Sequence, residues 1–373
     1  MNSKRPFRSS SFPGLLLLAA HLTASTAQAA APNLFIMGVW PDRLRLFDQT
    51  TESFVGELRL RHGPVTWYGN ALATADSGRL FFITDRLESV EVLETSRGAV
   101  VDDFKLSTSD RKVRLLGALP SPDGKLVYLT VRAVKEEVDR FIAEEPQIVV
   151  YDLTAHEVKA SFSLPTAGTW FPVALTVSAD GQSLFVLGAD IYELDTTNYE
   201  VVDKIELSKP LLAGYGPLQG SGELTQTGPG IFYGIYGSTD PFLQKTVVGV
   251  TRIDLNEKKV ESFELGPDLK VELFALSPDG TRGYAGLTDL VAIDMESHQI
   301  LLTKKKVEQG RTNTSMIVSY DGSKLYVSGV GDTIVVYDTT TLEPIKKIFA
   351  GGDFMSPLVE LSRSALGGAS SDP

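Results

Sequence analysis

Residues 319–329 read SYDGSKLYVSG, and variants of this phrase recur at 277–286 (SPDGTRGYAG), 178–188 (SADGQSLFVLG) and 121–130 (SPDGKLVYLT). Each variant places Asp-Gly among small polar residues directly before a run of apolar residues. Asp-Gly is typical of a tight hairpin turn, in which glycine supplies a positive φ. A calcium loop needs alternating acidic ligands over about a dozen residues, whereas SPDGTRGYAG has one carboxylate. The phrases therefore predict hairpin turns.

A second repeated element follows: an apolar strand that ends in an acidic residue, then a polar turn and another strand. The acidic residues are Asp48, Glu94, Asp152, Asp195, Asp254, Asp294 and Asp338. Their successive spacings are 46, 58, 43, 59, 40 and 44 residues, close to the period of about 40–50 residues that marks propeller blades. Seven copies predict an all-β fold, a seven-bladed β-propeller with four antiparallel strands in each blade. We interpret the acidic residues as turn residues that bond the backbone two positions on.

The two ends of the repeated region complement each other. LFIMG (34–38) matches LYVSG (325–329) but lacks the first strand of its repeat, and MSPLVELS (355–362) resembles that missing strand as it occurs in TSMIVS (314–319). This pattern predicts a ring that is closed by the C-terminal strand joining the N-terminal blade. We expect a secretory signal peptide at 1–29, the propeller at 30–363 and a disordered tail at 364–373.

The first 29 residues have the pattern of a cleavable signal peptide. Lys4, Arg5 and Arg8 precede the apolar run PGLLLLAAHL (13–22), and Ala27-Gln28-Ala29 offers small residues for cleavage. No later segment supplies the roughly 18 consecutive apolar residues of a membrane helix. We therefore expect an exported, periplasmic protein that does not insert into a membrane.

Composition excludes several kinds of site. The sequence has no cysteine, which removes disulfides, thiolate metal sites and covalent haem attachment. Without the signal peptide, 32 basic residues face 47 acidic ones, a formal charge of −15 that argues against a nucleic-acid partner. His62, His156 and His298 are far apart, and no G-x-S-x-G, H-E-x-x-H or P-loop motif occurs. We expect no catalytic, cofactor-binding or metal-binding residue in this chain.

The two faces of the predicted ring differ. With strands a, b, c and d counted from the axis outwards, the a–b and c–d turns form what we call the plain face. The b–c turns and the connections from d to the next a form the elaborated face, which carries an acidic insertion at 133–147 (AVKEEVDRFIAEEPQ) and a Gly- and Pro-rich connection at 209–229. Function on a regular scaffold tends to lie on such loops. The candidate partner or pocket residues on this face are Trp67, Tyr68, Trp170, Phe171, Tyr215, Arg311, Asn313 and Phe354; packing between blades is the alternative role for the aromatic ones.

The sequence also resembles a known family. The resemblance rests on PDRLRLFD (41–48), KVRLLGALPSPDGKLVYL (112–129), VVYDLTAHEVKASF (149–162) and ALTVSADGQSLFVLGADIYELD (174–195). These stretches are similar to exported seven-bladed propellers with YVTN-like repeats and, among them, to the β subunits of quinohaemoprotein amine dehydrogenases. The heavy chain of methylamine dehydrogenase has a similar fold and role.

The resemblance implies a function through partners. In that family the complex oxidises primary amines in the periplasm; a small subunit carries cysteine tryptophylquinone and a dihaem cytochrome c subunit takes the electrons. The propeller subunit holds neither cofactor and helps to wall the active site, with the amine at the interface. Two alternatives remain open: a stand-alone YVTN-type binding or surface propeller without enzymatic activity, and a propeller lyase or hydrolase that uses the histidines.

Overall fold

The computed structural model describes residues 34–66, 72–73, 78–95, 97–165, 173–210, 212–307 and 312–361. Within these ranges the regular structure is strand, apart from one 3-10 turn at Asp85–Leu87. None of the described helical structure is long and apolar enough to span a membrane. The expected signal peptide at 1–29 and tail at 364–373 lie outside the described residues and stay predictions.

Strands follow one another through the whole described chain. The strands of the first three blades are β1 (Leu34–Val39), β2 (Arg43–Asp48), β3 (Ser53–Arg59), β4 (Leu72–Ala73), β5 (Arg79–Thr84), β6 (Ser89–Glu94), β7 (Ala99–Lys105), β8 (Arg111–Pro120), β9 (Leu126–Glu136), β10 (Phe141–Ala143), β11 (Gln147–Asp152) and β12 (Glu157–Ser163). The remaining strands are β13 (Ala174–Val177), β14 (Ser183–Leu187), β15 (Ile191–Asp195), β16 (Val201–Ile205), β17 (Gln219–Gly228), β18 (Ile231–Asp240), β19 (Lys245–Asp254), β20 (Lys259–Pro267), β21 (Val271–Leu276), β22 (Arg282–Leu287), β23 (Leu290–Asp294), β24 (Ile300–Lys304), β25 (Asn313–Val318), β26 (Lys324–Gly329), β27 (Thr333–Asp338), β28 (Pro344–Phe349) and β29 (Val359–Leu361).

These strands form seven antiparallel sheets, which are the predicted blades. Blade 1 has the order β29-β1-β2-β3, and blade 2 has the order β4-β5-β6-β7. Blade 3 contains β8, β9, β11 and β12, with β10 as an additional strand paired to β9. Blades 4 to 7 are β13–β16, β17–β20, β21–β24 and β25–β28 in sequence order. The predicted all-β, seven-bladed propeller is confirmed.

Ring closure also follows the prediction. The C-terminal β29 pairs antiparallel with β1, with Leu361 opposite Leu34. Hydrogen bonds to both blades hold the segment before β29: for example, the Gly38 N–H donates to Ser356 Oγ at 2.8 Å, and the Leu358 N–H donates to Ser315 Oγ of blade 7 at 2.9 Å. The last strand, β29, therefore belongs to blade 1, and a hydrogen bond to blade 7 holds the segment that leads into it.

The hydrophobic core is divided into layers between blades. Seven apolar clusters occur among the described residues, and each joins two neighbouring blades. One of them joins blade 7 to blade 1, where the Tyr326 and Phe35 rings pack edge to face with centroids 5.0 Å apart. Middle strands such as β1 are buried at every position because both surfaces of a blade are covered, whereas the outer strand β3 alternates.

An ion-pair bridge adds to the closing interface. Glu52, in the c–d turn of blade 1, accepts hydrogen bonds from Lys324 and Lys346 of blade 7, both at 2.6 Å. Burial raises the pKa of Glu52, but the two lysines outweigh it and hold the pKa below its usual value.

Candidate functional site: the elaborated face

The four Asp-Gly phrases are hairpin turns on the plain face, as predicted. In the turn quoted above, Ser319 Oγ donates to Asp321 Oδ1 at 2.6 Å, and the Ser323 N–H donates to the same oxygen at 3.0 Å. Gly322 has a φ of 74°, a left-handed conformation that favours glycine. The same bonds recur around Asp123, Asp180 and Asp279 in blades 3, 4 and 6.

The seven repeated acidic residues all end their c strands, at the plain face. Six of them are aspartates whose Oδ1 accepts backbone N–H groups of the following turn; Asp338, for example, accepts from Thr340 and Thr341 at 2.9 and 2.8 Å. Glu94 instead pairs with Arg97 at 3.2 Å. These bonds give each residue a role in its own hairpin, which agrees with the interpretation as turn residues.

The three histidines lie in different blades. His62 Nε2 lies 2.8 Å from Asp103 Oδ2, His156 Nδ1 lies 4.0 Å from Asp102 Oδ2, and the His298 ring stacks on Phe263. Among the described residues, no three His, Cys, Asp or Glu side chains are grouped as metal ligands. The three side chains are therefore not brought together in one site.

A cavity of about 870 Å³ opens on the plain face between blades 2 and 3. Sequence reasoning assigned only turns to this face and missed it. Its wall includes two close pairs of opposite charge, Arg97 with Glu94 at 3.2 Å and Lys125 with Asp123 at 3.3 Å. His156 Nδ1 lies 4.0 Å from Asp102 Oδ2 in the same wall. Because these charges already have partners, the wall offers a mixed rather than a single-sign field. The only sequence signal is that blade 2 has TADSG (74–78) where blades 3, 4, 6 and 7 have Asp-Gly.

Three of the eight candidate residues are described, and all three lie at the elaborated face. Asn313 begins the innermost strand of blade 7, is buried, and donates through Nδ2 to the Leu287 carbonyl of blade 6 at 2.6 Å. Phe354 is buried against blades 1 and 7. Tyr215 is half-buried and donates through Oη to Asp240 Oδ2 at 2.9 Å. The others lie outside the described residues and stay predictions: Trp67, Tyr68, Trp170, Phe171 and Arg311.

Phe354 lines a small cavity of about 400 Å³ at the junction of blades 7 and 1. The rest of its wall is Thr314, Val330, Gly331, Asp353 and Met355. Phe354 and Asn313 expose little surface because each packs between two blades. Their role at this face is therefore to hold neighbouring blades together.

The acidic insertion at 133–147 forms a projecting hairpin. The b strand β9 continues beyond its pairing with β11 and turns back through β10, with Glu136 opposite Phe141. At its base, Glu144 receives three hydrogen bonds from Arg111 at 2.7 to 3.0 Å. Near its tip, Arg140 donates to Glu137 at 2.9 Å. We call residues 132–146 the blade-3 arm.

The connection at 209–229 is shorter than expected, because Gln219–Gly228 forms β17, the innermost strand of blade 5. Its polar and glycine residues hid it from a search for apolar strands. Blade 5 also extends its b–c hairpin, β18 and β19, and the turn is held by Asp240 Oδ1, which accepts from the N–H groups of Phe242 and Leu243 at 2.7 and 3.1 Å. We call residues 236–249 the blade-5 arm.

Exposed apolar side chains are divided unequally between the faces. Apart from those on strands β3, β12, β16, β24 and β28 at the outer rim, the large exposed ones among the described residues lie on the elaborated face, except Tyr320. Trp40 is 54% exposed, Val330 67% and Phe242 87%. The full set on this face is Trp40, Val134, Val138, Phe141, Ile142, Leu212, Phe242, Leu243 and Val330. The exposed apolar side chains are therefore concentrated on the elaborated face.

Comparison with known proteins shows the fold. No protein-family model and no curated protein sequence matches this chain. Hydrazine synthase from Kuenenia stuttgartiensis is 16% identical, with a TM-score of 0.51, over 84% of this chain and 90% of that one. Dihydro-haem d1 dehydrogenase NirN in complex with DHE is 15% identical, with a TM-score of 0.54, over 90% and 76%. The β-propeller domain of Myceliophteria thermophila Cps50 (Swd1) is 11% identical, with a TM-score of 0.54, over 80% and 90%. At these identities the likeness concerns fold alone: the chain is a seven-bladed β-propeller.

Proposed function

We propose that this chain is the non-catalytic propeller subunit of a periplasmic quinohaemoprotein amine dehydrogenase. The observation that carries the proposal is the concentration of exposed apolar side chains on the elaborated face. A rigid ring that keeps its apolar turns on one face is suited to hold other subunits there. The particular complex comes from the sequence resemblance at 41–48, 112–129, 149–162 and 174–195.

In this proposal the chain supplies surface and position, and its partners supply the redox chemistry. The absence of cysteine excludes both thioether attachment of haem and a cysteine-derived quinone in this chain. The small quinone-bearing subunit would lie on the elaborated face, with Trp67, Trp170 and Phe171 as contact residues, and the dihaem subunit would receive the electrons. The propeller would wall the amine pocket and limit the access of water to it.

Native purification tests this proposal. The protein is isolated from its source under mild conditions, and its partners are identified by mass spectrometry and a visible spectrum. We expect a complex that contains a haem c protein and a small quinone-bearing chain and that oxidises a primary amine. A monomer that elutes alone, without haem absorbance, would contradict the proposal.

The plain-face cavity favours a second candidate, a stand-alone binding propeller of the YVTN type. Its volume of about 870 Å³ lies in the range of small-molecule sites. This function needs no partner, so it predicts a stable monomer whose melting temperature rises with a small ligand. The same native purification separates the two candidates.

A further inference from the structure

The outer strand of blade 6 differs from the outer strands of the other blades. Each blade ends in a strand that pairs on one side only, and such edges are usually protected by charged side chains. Two or more charged residues occur in each of the outer strands β3, β7, β12, β16, β20 and β28. In contrast, β24 (ILLTK) has only Lys304, at its end. The edge of β24 therefore lacks the usual protection against pairing with another chain.

Three consecutive apolar side chains of β24 are exposed to solvent. Ile300 is 36% exposed, Leu301 50% and Leu302 36%. Exposed apolar residues also occur on other outer strands, such as Val202 on β16, but there the next two residues are charged. An uninterrupted apolar edge of this kind is a template for the addition of a strand from another chain.

Contacts to both neighbouring blades hold the two ends of β24. The His298 ring, just before the strand, stacks on Phe263 of blade 5 with ring centroids 4.0 Å apart. At the other end, Lys304 Nζ donates to the Glu343 carboxylate of blade 7. The edge is therefore ordered before any partner arrives, which lowers the entropic cost of pairing.

The segments that flank β24 carry opposite charges without a partner in the described part of the chain. Glu296 precedes the strand and Lys306 follows it, and both side chains are exposed. The other charged groups between 294 and 306 are engaged within the chain: Asp294 with its own turn, Lys304 with Glu343, and Lys305 with Asp289 at 3.5 Å. One free negative charge at one end therefore corresponds to one free positive charge at the other.

This arrangement is self-complementary. When two copies of β24 run antiparallel in the register that pairs Leu301 with Leu301, Ile300 lies opposite Leu302 and Glu296 lies opposite Lys306. Two-fold symmetry makes each of these contacts twice. Residues 297–303 contain no Lys, Arg, Asp or Glu, so the contact adds no like-charge pair to the general repulsion between two acidic chains.

We propose that two copies of this chain pair through the outer edges of β24, so that the two blade-6 sheets join into one antiparallel sheet of eight strands. Leu301 lies at the two-fold axis, and the Glu296–Lys306 pairs fix the direction of the strands. One short strand from each copy makes a small contact, and interfaces below about 1,000 Å² are usually transient. The dimer is therefore weak and forms at high protein concentration. Because β24 lies at the outer rim, the inference does not depend on the proposed function of the elaborated face.

Sedimentation equilibrium of the purified protein tests the dimer. We expect a reversible monomer–dimer equilibrium, and Leu301→Lys should weaken it at least about tenfold because it places two like charges at the axis. Val202→Lys, at an exposed apolar position of the outer strand β16, is the matched control and should leave the equilibrium unchanged. A protein that stays monomeric, whether its β24 edge is free or occupied by another protein, would overturn the inference. Equal dimerisation of Leu301→Lys and the wild type would overturn it as well.

Exchange of the two free charges tests the antiparallel direction. Glu296→Lys alone and Lys306→Glu alone each place like charges opposite one another twice, so we expect each variant to dimerise at least about tenfold more weakly than the wild type. An equimolar mixture of the two variants should dimerise as the wild type does, because each altered charge then meets an opposite one. The double variant E296K/K306E should do the same. Single variants that dimerise normally, or a mixture that stays monomeric, would refute the proposed pairing.

Discussion

Asp321 illustrates how single residues set the register of the repeat. Its Oδ1 accepts bonds from Ser319 Oγ, the Ser323 N–H and Ser323 Oγ, so this oxygen is fully used within its own turn. Burial raises the pKa of Asp321, but these hydrogen bonds outweigh it and keep the pKa below its usual value. A residue committed in this way has a structural rather than a chemical role.

Replacing Asp321 should therefore cost stability. In Asp321→Ala the turn N–H loses its acceptor, and we expect the free energy of unfolding to fall by about 1 kcal/mol, measured by urea denaturation. Asp139→Asn is the control, because Asp139 has no partner among the described residues and its loss should leave the unfolding midpoint unchanged. Equal midpoints for Asp321→Ala and the wild type would show that the turn bonds are dispensable.

The same turns should be insensitive to calcium. Ligand binding to the folded state would raise the melting temperature as its concentration exceeds the dissociation constant. Since each turn offers a single carboxylate whose oxygen already accepts hydrogen bonds, we expect the same melting temperature in millimolar calcium and in EDTA, measured by calorimetry. If calcium raises the melting temperature and EDTA reverses the increase, the protein has a calcium site and this prediction is wrong.

Glu52 predicts a pH dependence at the blade 7–blade 1 interface. Its pKa is lower in the folded than in the unfolded chain, so its stabilisation is complete above the unfolded value, near 4.5, and is lost as the pH falls through the folded value. We expect Glu52→Gln to lower the free energy of unfolding by about 1 kcal/mol at pH 7. The free energies of unfolding of the wild type and the variant should converge as the pH falls from 4.5 through the lower, folded pKa of Glu52, measured by urea denaturation at each pH. A difference that persists undiminished in acid would contradict this origin.

At the scale of elements, β29 shows that a three-residue strand can decide the integrity of a large ring. It covers the edge of β1, and Leu361 joins the apolar layer between blades 1 and 2. Edge strands left uncovered are templates for aggregation. The N-terminal blade is therefore complete only when the C-terminal segment arrives.

Removing residues 359–373 should open the ring. We expect a loss of at least about 3 kcal/mol in the free energy of unfolding, because a buried leucine and the pairing of a central strand are lost together. Self-association at higher concentration should accompany it, measured by size-exclusion chromatography with light scattering. Removal of 364–373 alone is the control and should change neither. An intact, monomeric ring after the longer deletion would show that β29 is not the closing element.

At the scale of the whole molecule, the two faces have different tasks. The plain face consists of short hydrogen-bonded turns, while the elaborated face carries both arms and the exposed apolar turns. Closing the ring fixes the angular positions of all seven blades, so apolar groups that are far apart in sequence lie on one rigid surface. Such a surface can bind a partner without reorganising.

The proposed function predicts an effect that is specific to one face. Trp40→Ser and Val330→Ser replace exposed side chains in the b–c turns of blades 1 and 7. We expect the double variant to keep the wild-type melting temperature but to recover at least about tenfold less partner protein in the native purification. Tyr320→Ser, on the plain face, should recover partners as the wild type does. Full recovery with the double variant would place the subunit contact elsewhere.

The sequence by itself was enough to determine the fold, because the fold repeats. Seven acidic residues mark the ends of equivalent c strands, and four Asp-Gly phrases mark equivalent a–b turns. The two incomplete ends of the repeated region add up to one blade. Local patterns failed where the strand was polar: β17 has glycines and polar residues, so it was taken for a connection. Its strand conformation comes from pairing with β18, a partner that no local pattern reveals.

The surface for function was only partly accessible to sequence reasoning. The elaborated face was identified from the insertion at 133–147. Of its candidate residues, Asn313 and Phe354 are buried, and the exposed Trp40, Phe242 and Val330 were not among the candidates. Whether an aromatic residue in a turn packs inward or points outward depends on the neighbouring blade, which is distant in sequence. Periodicity therefore determined the ring and the identity of its two faces. Tertiary structure alone decided which side chains on the elaborated face meet the solvent, and that blade 5 also extends its b–c hairpin.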